Sequence, residues 1–137
     1  MIRKAAYKDT DAILSLAKDF ATSFVIEENA FRASFTALLA DSSTHLAVAE
    51  SEEGVIGYVL AFSHDTFYAS GRVAWVEEIM VHVSHRNQGF GRALMQSVEN
   101  WAKNQDCKLI ALATRRAASF YEAIGYQESA TYYRKLI

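Results

Sequence analysis

The sequence predicts a single α/β domain of 137 residues, a central mixed β-sheet (α+β in the arrangement of its strands) with helices on both faces. Three observations carry that expectation. Apolar residues recur at helical spacing over residues 9–39, and alternate as in strands over residues 45–62. From residue 73 onward a strand–helix succession replaces the hairpin pattern. With 51% hydrophobic and 22% charged residues, no repeat and no low-complexity tract, the chain has the make-up of one globular domain over residues 1–137.

Taken in order, residues 2–7 read as a short strand. Asp9 is placed to cap a helix that carries Ile13, Leu16, Ala17 and Phe20 on one face. A second helix is expected over residues 27–39, with Phe31, Phe35, Leu38 and Leu39 as its stripe. Residues 45–50 and 55–62 form a hairpin around the turn Ser51-Glu52-Glu53-Gly54, and a polar connection covers residues 63–71. A long strand over residues 73–83 precedes a helix over 89–104 that buries Leu94, Val98 and Trp101. A buried strand over 107–113, a short helix over 116–124 closed by Gly125, and a last strand over 131–136 complete the order β-α-α-β-β-β-α-β-α-β. A meander followed by crossover helices implies a mixed sheet.

Composition excludes several classes. A net charge of −2 gives no electrostatic reason to expect a nucleic-acid partner. No apolar run reaches the roughly 18 residues that a membrane span requires. The start Met1-Ile2-Arg3-Lys4 lacks the apolar core of a signal peptide. The single Cys107 has no partner within the chain, so a reduced thiol and a cytoplasmic location are expected, and no motif around it suggests a nucleophile. His45, His64, His82 and His85 show no metal-ligand spacing, so no metal is expected.

The densest chemical signal is His85-Arg86-Asn87-Gln88-Gly89-Phe90-Gly91-Arg92, between the long strand and the helix that follows. Two glycines allow a tight turn and close backbone approach to a ligand. The unpaired N–H groups that open a helix, together with its dipole, suit a pyrophosphate. Arg86 and Arg92 add cations. The spacing excludes a dinucleotide fingerprint, because Leu94 stands where the third glycine is needed, and no G-K-[ST] of a P-loop is present.

This R-x-x-G-x-G run resembles the pyrophosphate-binding motif of the GNAT family of acetyl-CoA-dependent N-acetyltransferases. Ala117-Ala118-Ser119-Phe120-Tyr121-Glu122-Ala123-Ile124-Gly125-Tyr126 resembles the same family's A-x-x-F-Y-x-x-x-G-F segment, in register with the first motif. The element order is also the family's. The resemblance implies acetyl-CoA as cosubstrate, held by residues 86–92 (Arg86, Asn87, Gln88, Gly89, Phe90, Gly91, Arg92). It implies that Ile79, Met80 and Val81 bind the pantetheine arm and thioester carbonyl through their peptide groups. Tyr121 falls at the position that protonates the leaving thiolate. Thr114 stands where the family often has an asparagine holding the cofactor arm, and Arg115 and Arg116 follow it.

Glu77 and Glu78 interrupt an apolar strand, which ought to exclude charges unless they are used or paired. Strand alternation places neighbours on opposite faces, so only one of the two is expected to face the cleft. The resemblance favours Glu77 as general base, with Glu78 as the reserve or as a structural acid paired with an arginine. The resulting expectation is direct acetyl transfer to the amine of a small molecule or peptide. The competing reading is a non-catalytic acyl-CoA-binding regulatory domain. Residues 20–40 and 63–72 are expected to select the acceptor: Glu27 and Glu28 suggest a cationic amine, and Phe24, Phe31, Phe67 and Tyr68 equally suggest an aromatic-amine or hydrophobic site. A homodimer through sheet edges or the last strand is expected on general grounds.

Overall fold

The computed structural model describes residues 1–137. Strand β1 (Ile2–Lys4) leads through a 3₁₀ turn into helices α1 (Thr10–Phe20) and α2 (Glu28–Ala40). Strands β2 (Thr44–Ser51), β3 (Gly54–Thr66) and β4 (Gly71–Val81) form a meander. Helix α3 (Phe90–Asn104), strand β5 (Ile110–Leu112) and helix α4 (Ala118–Ala123) follow. The five strands lie in sequence order, antiparallel up to β4 and parallel between β4 and β5. Tight turns make the meander antiparallel. The α3 crossover returns the chain so that β5 runs alongside β4 in the same direction.

Both faces of the sheet are covered, which is why β2 reads as a nearly continuous apolar run. Ala47, Ala49, Val59, Ala61 and Val76 face α3, where Leu94, Met95 and Val98 fill the space above these mostly small side chains. Leu46, Val48, Tyr58 and Leu60 face the other way, under Ile13, Leu16, Ala17 and Phe35 of α1 and α2. Each fully buried aliphatic side chain contributes roughly 1.5–3 kcal/mol, so these two clusters are the main favourable term.

The structure departs from the sequence expectation in several places. Asp9 does not cap α1 with its side chain. Its carboxylate accepts the Ala6 N–H at 2.8 Å and takes a bidentate pair from Arg3 at 2.8 and 2.9 Å. Glu27 caps α2, accepting the N–H groups of Asn29 and Ala30 at 3.0 and 2.7 Å. Strand β3 continues to Thr66, so its connection to β4 is the short residues 67–70, closed by the Thr66 hydroxyl on the Gly71 carbonyl at 2.7 Å. β5 is only three residues long.

The strand expected over residues 131–136 does not form, so the element order ends at α4. Gly125, at φ +102°, closes α4 as expected. Beyond Tyr126 the chain makes no backbone–backbone hydrogen bond and stays exposed. A three-residue β5 offers too few ladder bonds to offset the entropy of ordering a further strand. The tail is anchored by side chains instead. Tyr132 stacks on Trp75 of β4, with centroids 6.4 Å apart, and Arg134 Nη1 donates to Ser23 Oγ at 3.1 Å.

Candidate active site

Three local features meet along the C-terminal half of β4. The first is a parting of strands. β5 pairs with β4 only at Ala74, Trp75 and Val76, so the outer edge of β4 from Glu77 to Val81 has no strand beside it. Its inner edge remains paired, Ile79 with Val59, Met80 with Tyr58 and Val81 with Gly57. The outward peptide groups of this stretch have no strand partner, and among them only the Val81 carbonyl is engaged, by Arg86.

The second is a β-bulge. Leu60 pairs with Glu78 and Ala61 with Val76, so Glu77 is the extra residue and has no partner on β3. The bulge overturns the expectation that the two carboxylates face opposite ways. Trp75 pairs with Phe62, on the α1/α2 side of the sheet, and its Nε1–H donates to Glu77 Oε2 at 2.6 Å. Glu78 receives the hydroxyl of Tyr58, which is buried on that same side, at 2.6 Å. Both carboxylates therefore lie on the face under α1 and α2. Glu77 is exposed and Glu78 is half-buried, and Glu78's partner is Tyr58 rather than an arginine. Burial and the adjacent Glu78 carboxylate raise the Tyr58 hydroxyl far above its ordinary value, so it serves only as a donor.

The third is the loop into α3. A 3₁₀ turn (Val83–His85) ends β4. Asn87 and Gly89 take left-handed conformations, at φ +61° and +87°, and Gly89 is the N-cap with no side chain capping the helix. The first N–H groups of α3 are thus left open, with empty space where a Cβ on Gly89 would stand. Gln88 and Arg92 are exposed, and Arg92 has no protein partner. Arg86 turns back instead: its Nε donates to the Val81 carbonyl at 3.1 Å, tying the loop to the end of β4. Gly91 has a packing role, since a Cβ there would come within 3.4 Å of the Phe120 ring. Phe90 packs against the core cluster and edges onto His85, 6.2 Å between centroids.

Tyr121 is buried in the cluster on the α3 side, its ring edge-on to Phe120 at 5.0 Å and to Tyr126 at 6.0 Å. Its hydroxyl makes no hydrogen bond within the protein, and burial raises its pKa, so it keeps its proton. Thr114 acts on the chain itself, its hydroxyl accepting the Ala117 N–H at 3.1 Å ahead of α4. Arg115 and Arg116 are exposed and unpaired. Glu27 and Glu28 are occupied, the first as a helix cap and the second with Arg32 at 3.2 Å.

Tyr58 and Trp75 did not stand out in the sequence. The Trp75–Glu77 spacing of two was a legible clue, because such residues share a strand face. Nothing local links Tyr58 to Glu78, which depends on the register of β3 against β4.

An open helix N-terminus lies beside a parted pair of strands. The profile of the acetyltransferase (GNAT) family matches residues 10–126. The chain belongs to the GNAT acetyltransferase family. It is 32% identical to the thialysine N-ε-acetyltransferase of Bos taurus, over 93% of this chain and 84% of that protein. It is 26% identical to the aminoalkylphosphonate N-acetyltransferase of Salmonella typhimurium, over 93% and 85%. Among solved structures it superposes with TM-score 0.85 on AAC(6')-Iy in complex with the bisubstrate analogue CoA-S-monomethyl-acetylneamine, at 23% identity, covering 100% of this chain and 98% of that one. This GNAT protein is accordingly an N-acetyltransferase that uses acetyl-CoA to acetylate an amine. The GNAT fold supplies its mixed five-stranded sheet, and no helix is long and apolar enough to cross a membrane.

Proposed function

We propose that this acetyltransferase moves the acetyl group directly to the primary amine of a small molecule, with Glu77 as general base and Tyr121 as general acid. The observation that carries the assignment is the coincidence of the Glu77 bulge with the point where β4 parts from β5. Acetyl-CoA supplies the activated acetyl group as a thioester. The open N-terminus of α3, with Asn87, Gln88, Gly89 and Arg92, suits its pyrophosphate, while Arg86 and Gly91 shape the loop. The outward peptide groups of residues 79–81 suit its arm, and an N–H there is a preorganised donor for the thioester oxygen. Thr114 keeps a hydroxyl proton free to donate to the arm while its oxygen accepts the Ala117 N–H.

A free alkylamine titrates near pH ~10, so it arrives protonated and must lose that proton before attack. Glu77 is exposed and accepts it, directly or through a water. Such assistance accounts for roughly 10²–10⁴-fold in rate. Tyr121, on the opposite face, holds its proton for the departing sulfur. Glu78, locked to Tyr58, is the structural member of the carboxylate pair.

The acceptor wall is drawn from residues 20–40 and 63–72, with Phe24, Phe67 and Tyr68 exposed there. Candidate acceptors are thialysine, 2-aminoethylphosphonate and neamine, which represent what the relatives and the structural neighbour are named for. The reading places the enzyme in the cytoplasm, consistent with its lone, half-buried thiol. It also makes the enzyme a homodimer joined through the tail, where Tyr132, Tyr133, Leu136 and Ile137 are exposed.

The test of the cofactor grip is Gly89→Asp. Asp tolerates a left-handed backbone and would put a negative charge before the open N-terminus without a steric clash. Calorimetry with acetyl-CoA is expected to show at least ~10-fold weaker binding, one to two lost charge-assisted contacts. Unchanged affinity in a folded variant would remove this loop from the cofactor site.

A further inference from the structure

We propose that Trp75 is the positioning residue for Glu77: its indole N–H clamps one carboxylate oxygen so that the other takes the proton of the acceptor amine. The inference rests on the reading of Glu77 as base and adds a residue that this reading did not need.

Glu77 has little to hold it. It lies at the bulge, unpaired on β3, and just beyond the last residue of β4 that β5 holds. Its side chain is exposed and makes one hydrogen bond only, the 2.6 Å contact from Trp75 Nε1 to Oε2. A catalytic carboxylate left to its rotamers would visit the productive geometry for a fraction of the time, whereas effective sites hold such groups to within about 0.5 Å. Trp75 is the reverse case. Its backbone is paired on both sides, with Phe62 of β3 and with Ala111 of β5. Its ring is half-buried and backed by Tyr132 at an interplanar angle of 23°. A rigid donor two residues before a loosely held acceptor transfers the order of the sheet to the carboxylate. Because the contact is charge-assisted and occupies Oε2 alone, Oε1 keeps its lone pairs for the acceptor. The tail thereby gains a role: Tyr132 braces the ring that braces the base.

The experiment has two parts. The first needs no acceptor. The chain has two tryptophans, so a ¹H–¹⁵N spectrum has two indole signals. Glu77→Ala is expected to move the Trp75 indole signal while leaving that of Trp101 in place. An unmoved Trp75 signal means that the contact does not exist in solution, which overturns the inference. The second part is a kinetic cycle with acetyl-CoA and the fastest acceptor among thialysine, 2-aminoethylphosphonate and neamine. Trp75→Phe keeps an aromatic ring for Tyr132 and removes the donor. It is expected to lower kcat by roughly 5–30-fold, a charge-assisted bond discounted for exposure, with the KM for acetyl-CoA unchanged. In the Glu77→Ala background the same substitution is expected to add less than about 2-fold, because a residue that acts only through another has no effect once that one is gone. An equal loss in both backgrounds would mean that Trp75 acts as a substrate wall or a fold element, and would overturn the proposal. A loss for Glu77→Ala with none for Trp75→Phe sinks the clamp and leaves the base standing. No loss for Glu77→Ala, or no turnover of any acceptor, sinks the base assignment and the clamp with it.

Discussion

Tyr121→Phe removes one oxygen atom and nothing else, and the structure says what that atom is doing. The ring is 7% exposed and packs edge-on against Phe120 and Tyr126, contacts that phenylalanine preserves. The hydroxyl has no hydrogen-bond partner in the protein, so its removal breaks no internal bond. A buried hydroxyl without a partner costs roughly 1–3 kcal/mol when fully desolvated, and less where water reaches it, so the variant is expected to be as stable as wild type or up to about 1 kcal/mol more stable. For a domain of this size that is a Tm unchanged or raised by no more than ~5 °C. Turnover is expected to behave otherwise. Loss of one general acid in a site that water partly rescues predicts a 10–10³-fold fall in kcat, or about 1.4–4.1 kcal/mol of barrier. The assay is thiol release from acetyl-CoA under single-turnover conditions, so that product release does not mask the chemical step. Acetyl-CoA affinity, measured by calorimetry, should stay within about 2-fold, since the hydroxyl is assigned to the departing sulfur rather than to binding. Burial holds the phenol above its ordinary pKa of 10, so the wild-type profile should show no Tyr121-dependent loss up to about pH 9. Wild-type turnover in the variant would refute the acid role. A Tm lowered by several degrees would refute the claim that the hydroxyl is unpartnered.

The other predictions concern the two carboxylates of β4 and two buried ionisable groups. Glu77→Gln should lower kcat at neutral pH by roughly 10²-fold and recover in part toward pH 10 as the acceptor amine loses its own proton, whereas Glu78→Gln should stay within about 3-fold; the reverse pattern would exchange their roles. Tyr58→Phe should cost about 2 kcal/mol in denaturant unfolding, because Glu78 loses a charge-assisted donor in a half-buried place, and a neutral result would refute the structural role of that pair. Asp9→Asn should destabilise by about 1–2 kcal/mol, since it weakens the bidentate pair with Arg3 to neutral hydrogen bonding while Arg3 keeps Glu50 as its charged partner. Arg3 and the Ala6 N–H hold the Asp9 carboxyl below its ordinary value. Its stabilisation is therefore complete above the unfolded pKa of about 3.9 and is lost as pH falls through the lower folded value; acid unfolding of the variant should lack that component. His45, stacked on Trp101, is pushed down to about 4 by burial. It folds neutral, so stability should fall between about pH 6.5 and 4 as the unfolded chain gains a proton the fold refuses, by up to about 3 kcal/mol, and His45→Phe should flatten that limb.

Much of this protein was legible in its residues because the relevant physics is local. The change from a period of 3.6 to a period of 2 and back requires only knowledge of which side chains are apolar, and it placed α1, α2, the β2–β3 hairpin and α3 to within a few residues. The R-x-x-G-x-G run announced an open helix start because Gly89 needs no distant partner to take a positive φ. Tyr121 was legible only through the resemblance of residues 117–126 to a family segment, since an aromatic pair in a short helix by itself reads as packing. The tertiary structure decided what depends on register and on distant partners. The bulge at Glu77 exists because Leu60 pairs with Glu78 while Ala61 pairs with Val76, and it alone put both carboxylates on one face against the parity of a regular strand. Asp9 abandoned the cap that its position suggested because Arg3, brought close by the turn after β1, offers it a bidentate charge, and Glu50 on β2 completes the cluster. Gly91 turned out to serve the packing of Phe120, and residues 131–136 stayed out of the sheet because β5, whose length no local pattern reveals, is too short to receive them. Propensity and pattern are properties of a segment, whereas the facing of a side chain and the fate of an edge are properties of a pair.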